Sequence, residues 1–460
     1  MMTLIKQGDV LLPGGMQRQD ILTEGELIKE IAPEISESPL PRETRVLDAS
    51  GCYVLPGIID AHTHFGLNSR GTVTADGFAE GSRSAAYGGV TTVIDFADHM
   101  NDRTLRQCSM DRAEAMAGAM ACDFALHQGV YRYHRKIQSE LAALREFGVT
   151  AVKVFTTYKE AGYYLESGQL EKLFSACKRE RILVTAHAED DEVITEASKA
   201  FGDSDLPPHM HPLLRPAEAE YRAVKYLGSL AESSGIPLYI VHLSSARGLD
   251  ALRACRLRGV RIAAETVPHY LVLTDQLLSG DDAPLYLMTP PLRGKEDTHA
   301  LLEAVRGGEI QVIATDHCSF TREQKSVSHD CRKILPGIPG TELLLSIAYT
   351  LFSEPMGVHQ TVRMMTELPA RIFGIFPQKG LLAAGSDADI VLFDPRPVWT
   401  VTDASQHSAA GYTPYAGLEV TGRVRSVLRR GELLIHEGEY RGIPGTGRFV
   451  SAQTSSLWET

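Results

Sequence analysis

The stretch GVTAVKVFTTY, residues 148–158, places a lysine in the middle of an apolar run. Val149, Ala151, Val152, Val154 and Phe155 flank Lys153 as they would in a buried strand. A bare ammonium there costs several kcal/mol even after relaxation. The side chain is therefore neutral, or reaches a charge partner, or is converted into something else. Four imidazoles and a carboxylate occupy comparable positions: His62 and His64 in DAHTHFG, His187 closing VTAH, His242 closing YIVH, and Asp316 in VIATDHCSF. In an extended segment, residues two apart point the same way, so His62 and His64 can reach one metal ion. A single histidine beside an apolar strand is ordinary core material, and a single lysine can snorkel to solvent. Polar residues closing several different strands at one end are another matter. A neutral lysine amine reacts with carbon dioxide to give a carbamate, an anionic ligand with two oxygens. That change would turn the misplaced cation into a bridge between two metal ions.

The elements that must position these residues are short β-rich runs alternating with amphipathic helical stretches. The pattern predicts strands over 53–59, 90–96, 123–130, 150–155, 182–187, 237–242, 260–265 and 310–315. Helices are predicted over 104–120, 169–180, 216–233, 247–258 and 295–307. Continuous apolar strands alternating with helices indicate a parallel sheet covered by helices, and eight of them fit a (β/α)8 TIM barrel. A doubly wound open sheet competes, but no GxGxxG opens a helix. The metal-ligand candidates then fall at strand carboxyl ends, the face where barrel active sites are built, with His62 and His64 just after the first strand. The flanks, with short strands and Gly/Asp turns, read as one small β-sandwich built from both chain ends. The expected boundaries are 1–52 and 377–460 for the sandwich and C-terminal tail, and 53–376 for the barrel.

The chain has 460 residues and a formal net charge of −12, which argues against a polyanion-binding surface such as one for nucleic acid. Seven scattered cysteines without CxxC spacing fit free thiols in a reducing compartment. No signal peptide and no apolar run long enough for a membrane span is evident. The expected location is the cytoplasm.

The His62, His64, Lys153, His187, His242 and Asp316 set resembles that of the binuclear cyclic amidohydrolases: hydantoinases, dihydropyrimidinases and allantoinases. GCYVLPGIIDAHTHF, VKVFTTY, PLYIVHLSSARGLDAL, LMTPPLR, ATDHCSF and PARIFGIFPQKGLLAAGSDADIV carry the likeness over nearly the whole chain, most closely to the phenylhydantoinase branch. ETVPHYL leans towards allantoinases as well. The resemblance implies that His62, His64 and Asp316 hold one zinc ion, His187 and His242 a second, and carboxylated Lys153 bridges them. It implies hydrolysis of a cyclic amide by metal-activated water, with Asp316 carrying the proton and Tyr158 donating to the oxyanion. It also implies a homotetramer.

Thr289 in MTPPLR stands where relatives use a substrate-contacting residue, usually serine. Pro336 in ILPGIPGTE stands where hydantoinases carry asparagine. A main-chain carbonyl contact survives that change, because proline keeps its C=O; a side-chain amide contact does not. His99, His269 and His317 lie near the mouth and read as packing or solvent-facing groups, with support of the metal ligands from behind as the alternative. The His209-Met210-His211 run reads as a loop lid away from a strand end. Two other functions remain: a different binuclear hydrolase such as an allantoinase or dihydroorotase, and a non-catalytic, assembly-forming relative. Dihydroorotate would need an arginine at the mouth, and Arg70, Arg293 and Arg322 are unassigned by pattern. The non-catalytic alternative is expected to lack metal ligands, and all six are present.

Overall fold

A computed structural model describes residues 1–202 and 204–459. Among these, eight parallel strands pair in sequence order: Ile58–Thr63, Val90–Ala97, Asp123–Gly129, Ala151–Phe155, Leu183–His187, Leu238–Ile240, Ile262–Thr266 and Val312–Ile313. Almost every residue in them is buried, which is why they read as continuous apolar runs. The ring is completed by a bridge between Thr63 and His317 and by the His64 amide donating to the His317 carbonyl at 2.8 Å. Closure of the barrel therefore brings the first and last strands together where His62, His64 and Asp316 lie.

Inside the barrel Ile59, Ala61, Ile94, Ala125, Ala151 and Leu183, with Tyr239, Ala263, Val312 and Ala314, form a cluster separate from the outer core. Strand parity extends this interior upward. Lys153 follows Ala151, Glu265 follows Ala263 and Asp316 follows Ala314, each two residues on. In the first strand the pairing register shifts between Asp60 and Thr63, an irregularity of the kind that re-aims side chains beside active sites. The outer faces pack on helices, including Leu105–Ala117, Ser167–Glu180, Ala217–Ser234, Ala246–Leu257 and Lys295–Arg306. Thr104 starts the first of these with a capping box to Gln107. Helices Phe78–Tyr87, Ile137–Phe147 and Leu344–Met356 add to the predicted set.

Hydrogen bonds join both chain ends into one continuous nine-stranded mixed sheet. Its middle corrects the strand expected over 53–59. Tyr53–Pro56 pairs with Met2–Leu12 and Ile390–Thr400 in this sheet, and the barrel strand begins only at Ile58. Consequently His62 lies within the first barrel strand, and only His64 follows it. The run 53–59 is apolar throughout, so composition alone does not reveal that Gly57 divides it. A Cβ at Gly57 would sit 2.1 Å from the Thr91 hydroxyl, so the chain passes between the two sheets where only glycine fits.

The sheet is pinned to the amino ends of the barrel strands by buried charges. Lys379 Nζ lies 2.6 Å from Asp123, 2.8 Å from Asp389 and 2.9 Å from Asp387. Arg430 reaches Asp123 at 2.9 Å. Among the described residues no helix is long and apolar enough to cross a membrane.

Candidate active site

At the carboxyl ends of the strands, three potential ligand atoms converge. His62 Nε2 and His64 Nε2 are 3.2 Å apart, and Asp316 Oδ1 lies 3.1 Å from the first and 3.2 Å from the second. A tetrahedral ion with bonds of about 2.0–2.1 Å has a ligand–ligand edge of roughly 3.3 Å, so this triangle fits one cation. Across the barrel His187 Nδ1 and His242 Nε2 approach to 3.0 Å and form a second donor pair. The imidazole rings of His62 and His242 are 5.4 Å apart, so the two groups share one cavity.

His62, His187 and His242 are buried and His64 is half-buried, and burial holds His62 and His242 well below their ordinary pKa, neutral and ready to ligate. Burial acts to raise the Asp316 carboxyl, but His62, His64 and His242 hold it well below the usual carboxylate range. Asp316, His242 and Tyr158 all have left-handed backbone, φ 51°, 38° and 65°, sparsely populated for such residues and typical of functional turns.

Two carboxylates orient the ligands from behind. Glu265 contacts His62 Nδ1, accepts from the Tyr239 hydroxyl at 2.9 Å and from the His242 amide at 3.1 Å. Glu189 accepts from His187 Nε2 at 2.7 Å, leaving Nδ1 free to face His242. Such partners fix tautomer and ring direction. Arg215 chelates Glu189, with Nη2 at 2.7 Å, and stacks its guanidinium 4.9 Å from the Tyr158 ring centroid. Sequence reasoning passed over all three. Glu265 was recoverable by the signal that exposed Lys153, a charged residue at an inward parity of an apolar strand. Glu189 stands two residues after His187; for Arg215 no sequence signal is evident.

Lys153 is buried among Phe96 and Phe155, its Nζ 4.8 and 5.4 Å from their ring centroids. Burial pulls its ammonium down to about 8, opposed by Asp316 and Glu265 at longer range. Among the described residues no carboxylate pairs with it directly. Burial pushes the Tyr158 phenol up to about 12, so it stays protonated, and its hydroxyl bonds to the Thr289 side chain. All nine candidate residues, from His62 to Pro336, line one cavity of about 240 Å3. Arg70 and Asp98 also line it, and Arg70 donates to the Arg332 and Ile334 carbonyls at 2.8 and 3.1 Å.

The other histidines divide. His317 is a structural tie: Nε2 meets Asp76 at 2.9 Å, and Nδ1 accepts from the Gly340 and Thr341 amides. His99 Nδ1 accepts from the Tyr131 amide. His269 is fully buried beside Tyr270. The expected lid is corrected: Pro208–Met210 is a 3-10 turn leading into the short helix His211–Leu214. His211 is buried, and its Nε2 lies 3.0 Å from the Met288 carbonyl and 3.3 Å from the Thr289 hydroxyl. The proline-rich run packs against the Met288–Thr289 segment and contributes no residue to the lining of the pocket.

Residues 53–434 match the sequence profile of the Amidohydrolase family. A D-phenylhydantoinase of Escherichia coli O127:H6 is 35% identical over 461 residues, covering 98% of both chains. The crystal structure of a dihydropyrimidinase from Brevibacillus agri NCHU1002 superposes with a TM-score of 0.95 at 33% identity, covering 99% of each chain. An L-hydantoinase from Arthrobacter aurescens gives 0.86 at 26% identity, covering 98% of this chain and 99% of its own.

Proposed function

The chain belongs to the Amidohydrolase family, and we propose that within it the protein hydrolyses a ring amide bond of hydantoin- or dihydropyrimidine-type cyclic amides. The convergence of His62, His64 and Asp316 on one cation position, with His187 and His242 opposite, carries this reading. The hydantoinase and dihydropyrimidinase relatives supply the substrate class.

In this reading His62, His64 and Asp316 would hold one divalent ion, His187 and His242 would hold a second, and Lys153, as its carbamate, would be a ligand shared by the two. The lowered amine pKa favours that conversion: the neutral nitrogen attacks carbon dioxide, one N–C bond forms and a proton leaves. Two bound cations, Zn2+ in this reading, supply Lewis acidity and bring the pKa of a bound water to about 7. Asp316 accepts the proton of the attacking water and delivers it to the leaving nitrogen. Tyr158 donates its O–H to the oxyanion developing on the substrate, and Arg215 and Thr289 hold that phenol in place. Thr289 and the Pro336 carbonyl face the substrate ring; among the described residues, none donates a hydrogen bond to that carbonyl. The likeness to hydantoinases supports a homotetramer. Seven cysteines, unpaired and buried among the described residues, fit a reducing cytoplasm.

A second reading has one observation in its favour. Arg70 lines the cavity, and a substrate carboxylate such as that of dihydroorotate would need a cation there. The test for both is side-by-side hydrolysis of hydantoin, 5-phenylhydantoin, dihydrouracil, allantoin and dihydroorotate by zinc-loaded protein. Fastest turnover on hydantoins or dihydrouracil supports the first reading. Turnover confined to dihydroorotate or allantoin replaces it with the second.

A further inference from the structure

We propose that Lys325 is a positioning residue of the substrate site, clamping together the two loops that present Thr289 and Pro336 to the ring. This inference rests on the cyclic-amide reading for its kinetic consequence, though not for the clamp itself. Lys325 is fully buried, with no measurable exposure. Its Nζ donates to the Leu287 carbonyl at 2.7 Å and to the Gly337 carbonyl at 2.6 Å. Those carbonyls belong to the segments 287–289 and 336–337. The segments also bond directly, the Gly337 amide donating to the same Leu287 carbonyl at 3.0 Å.

Three features make a clamp the best account of this lysine. First, no carboxylate pairs with it among the described residues, and burial pulls its ammonium down to about 7. An unpaired buried cation is expensive, and an apolar side chain of similar volume would fill the space at lower cost. What the ammonium provides and an apolar side chain cannot is directed donors to two carbonyls at once. Second, the 336–337 segment has little freedom left on its other side. A Cβ on Gly337 would lie 2.3 Å from the Cys318 carbonyl, and Gly337 takes φ +146°. The 336–337 segment is thus held between Cys318, two residues beyond Asp316, and the Lys325 ammonium. Third, Lys325 sits on a turn that is itself anchored. Thr321 and Gln324 form a capping box over Arg322–Lys325. The Gln324 amide continues to the Thr72 hydroxyl at 2.8 Å and the Val73 carbonyl at 2.9 Å. That hairpin carries Asn68 and Ser69, which also line the cavity. One short turn therefore ties three cavity-lining segments together.

Contacts from these loops to ring atoms away from the scissile bond are made equally in ground and transition state, so disturbing them raises KM, while Arg215, stacked on the Tyr158 ring, keeps that phenol in place and limits the loss of kcat. In zinc-loaded Lys325→Met the KM for 5-phenylhydantoin should rise about tenfold while kcat stays within about threefold. Hydrogen exchange of the same holoenzyme should quicken in peptides covering 287–289 and 336–337 together, with the metal-ligand strands unchanged. An unchanged KM, or a kcat loss as large as the KM rise, overturns the proposal whatever happens to the melting temperature. If Lys325→Met does not fold, the same split in Lys325→Gln decides. If wild type turns over no cyclic amide, the substrate reading fails and exchange decides the clamp: faster exchange in both loops sustains it, unchanged exchange in either ends it.

Discussion

Lys153 and Lys379 are both buried lysines of one barrel, at opposite ends, and their surroundings are opposite. At the amino ends of the strands Lys379 lies within 2.6–2.9 Å of three aspartates. Burial acts to lower its pKa, but those carboxylates raise it above the ordinary lysine value. At the carboxyl ends Lys153 has aromatic rings around it, no carboxylate in contact among the described residues, and a pKa drawn down to about 8. One end has satisfied its buried charge and uses it to join the sheet to the barrel. The other end has left its lysine unsatisfied, which suits a reactive amine and leaves the protein less stable than an apolar residue would. A buried charge is therefore informative through its partners: Lys379, paired with carboxylates, is a tie; Lys325, bonded to two carbonyls, is a clamp; Lys153, with neither among the described residues, points to chemistry.

The largest effect that tests this contrast comes from Lys153→Ala. Activity should fall to background and binding of the second metal should be lost, as read by metal analysis, with partial rescue by short carboxylic acids that fill the gap. Stability of the metal-free variant should stay within about 1 kcal/mol of the parent or rise, because an unpaired buried ammonium has been removed. Asp316→Asn keeps shape and removes the proton acceptor, so kcat should drop by about 10²–10⁴. Tyr158→Phe should lower kcat by about 10²–10³; an effect confined to KM would assign Tyr158 to ground-state binding. Lys379→Met should behave in the reverse way to Lys153→Ala. It strands three buried carboxylates, so denaturant melts should show a loss of about 3–5 kcal/mol, while kcat of the folded enzyme is unchanged. If Lys379→Met abolished turnover without loss of stability, the contrast between the two ends would be wrong. The smallest effect is expected at Pro336→Asn. Hydantoin hydrolysis should stay within about tenfold, or 1.4 kcal/mol, since a main-chain carbonyl is present in both. A hundredfold gain would show that proline marks a different substrate.

The barrel was legible because its strands are buried on both faces and so rich in apolar residues, and because the polar residues towards their carboxyl ends stand out against that pattern. The same property hid the division at Gly57, since a strand of the mixed sheet and a strand of the barrel run together in one apolar stretch. The metal-ligand candidates were readable by type and place. Glu265, Glu189 and Arg215 were not singled out, because their meaning lies in which side chains they touch. The contacts of Glu265 and Arg215 join distant segments, and Glu189, though close to His187 in sequence, shows its role only through the hydrogen bond. His211 shows the same limit: its sequence neighbours Pro207, Pro208 and Pro212 suggest a surface loop, while its ring is buried against the Met288 carbonyl.

The central claim is that Lys153 is carboxylated and bridges two metal ions. A crystal structure of the active, fully metallated protein tests it at one atom, the tip of that side chain. The account predicts planar density for a carbamate beyond Nζ, with one oxygen directed to the ion held by His62, His64 and Asp316 and the other to the ion held by His187 and His242. Density ending at an unmodified ammonium, in crystals whose dissolved protein hydrolyses a cyclic amide at full rate, would contradict it.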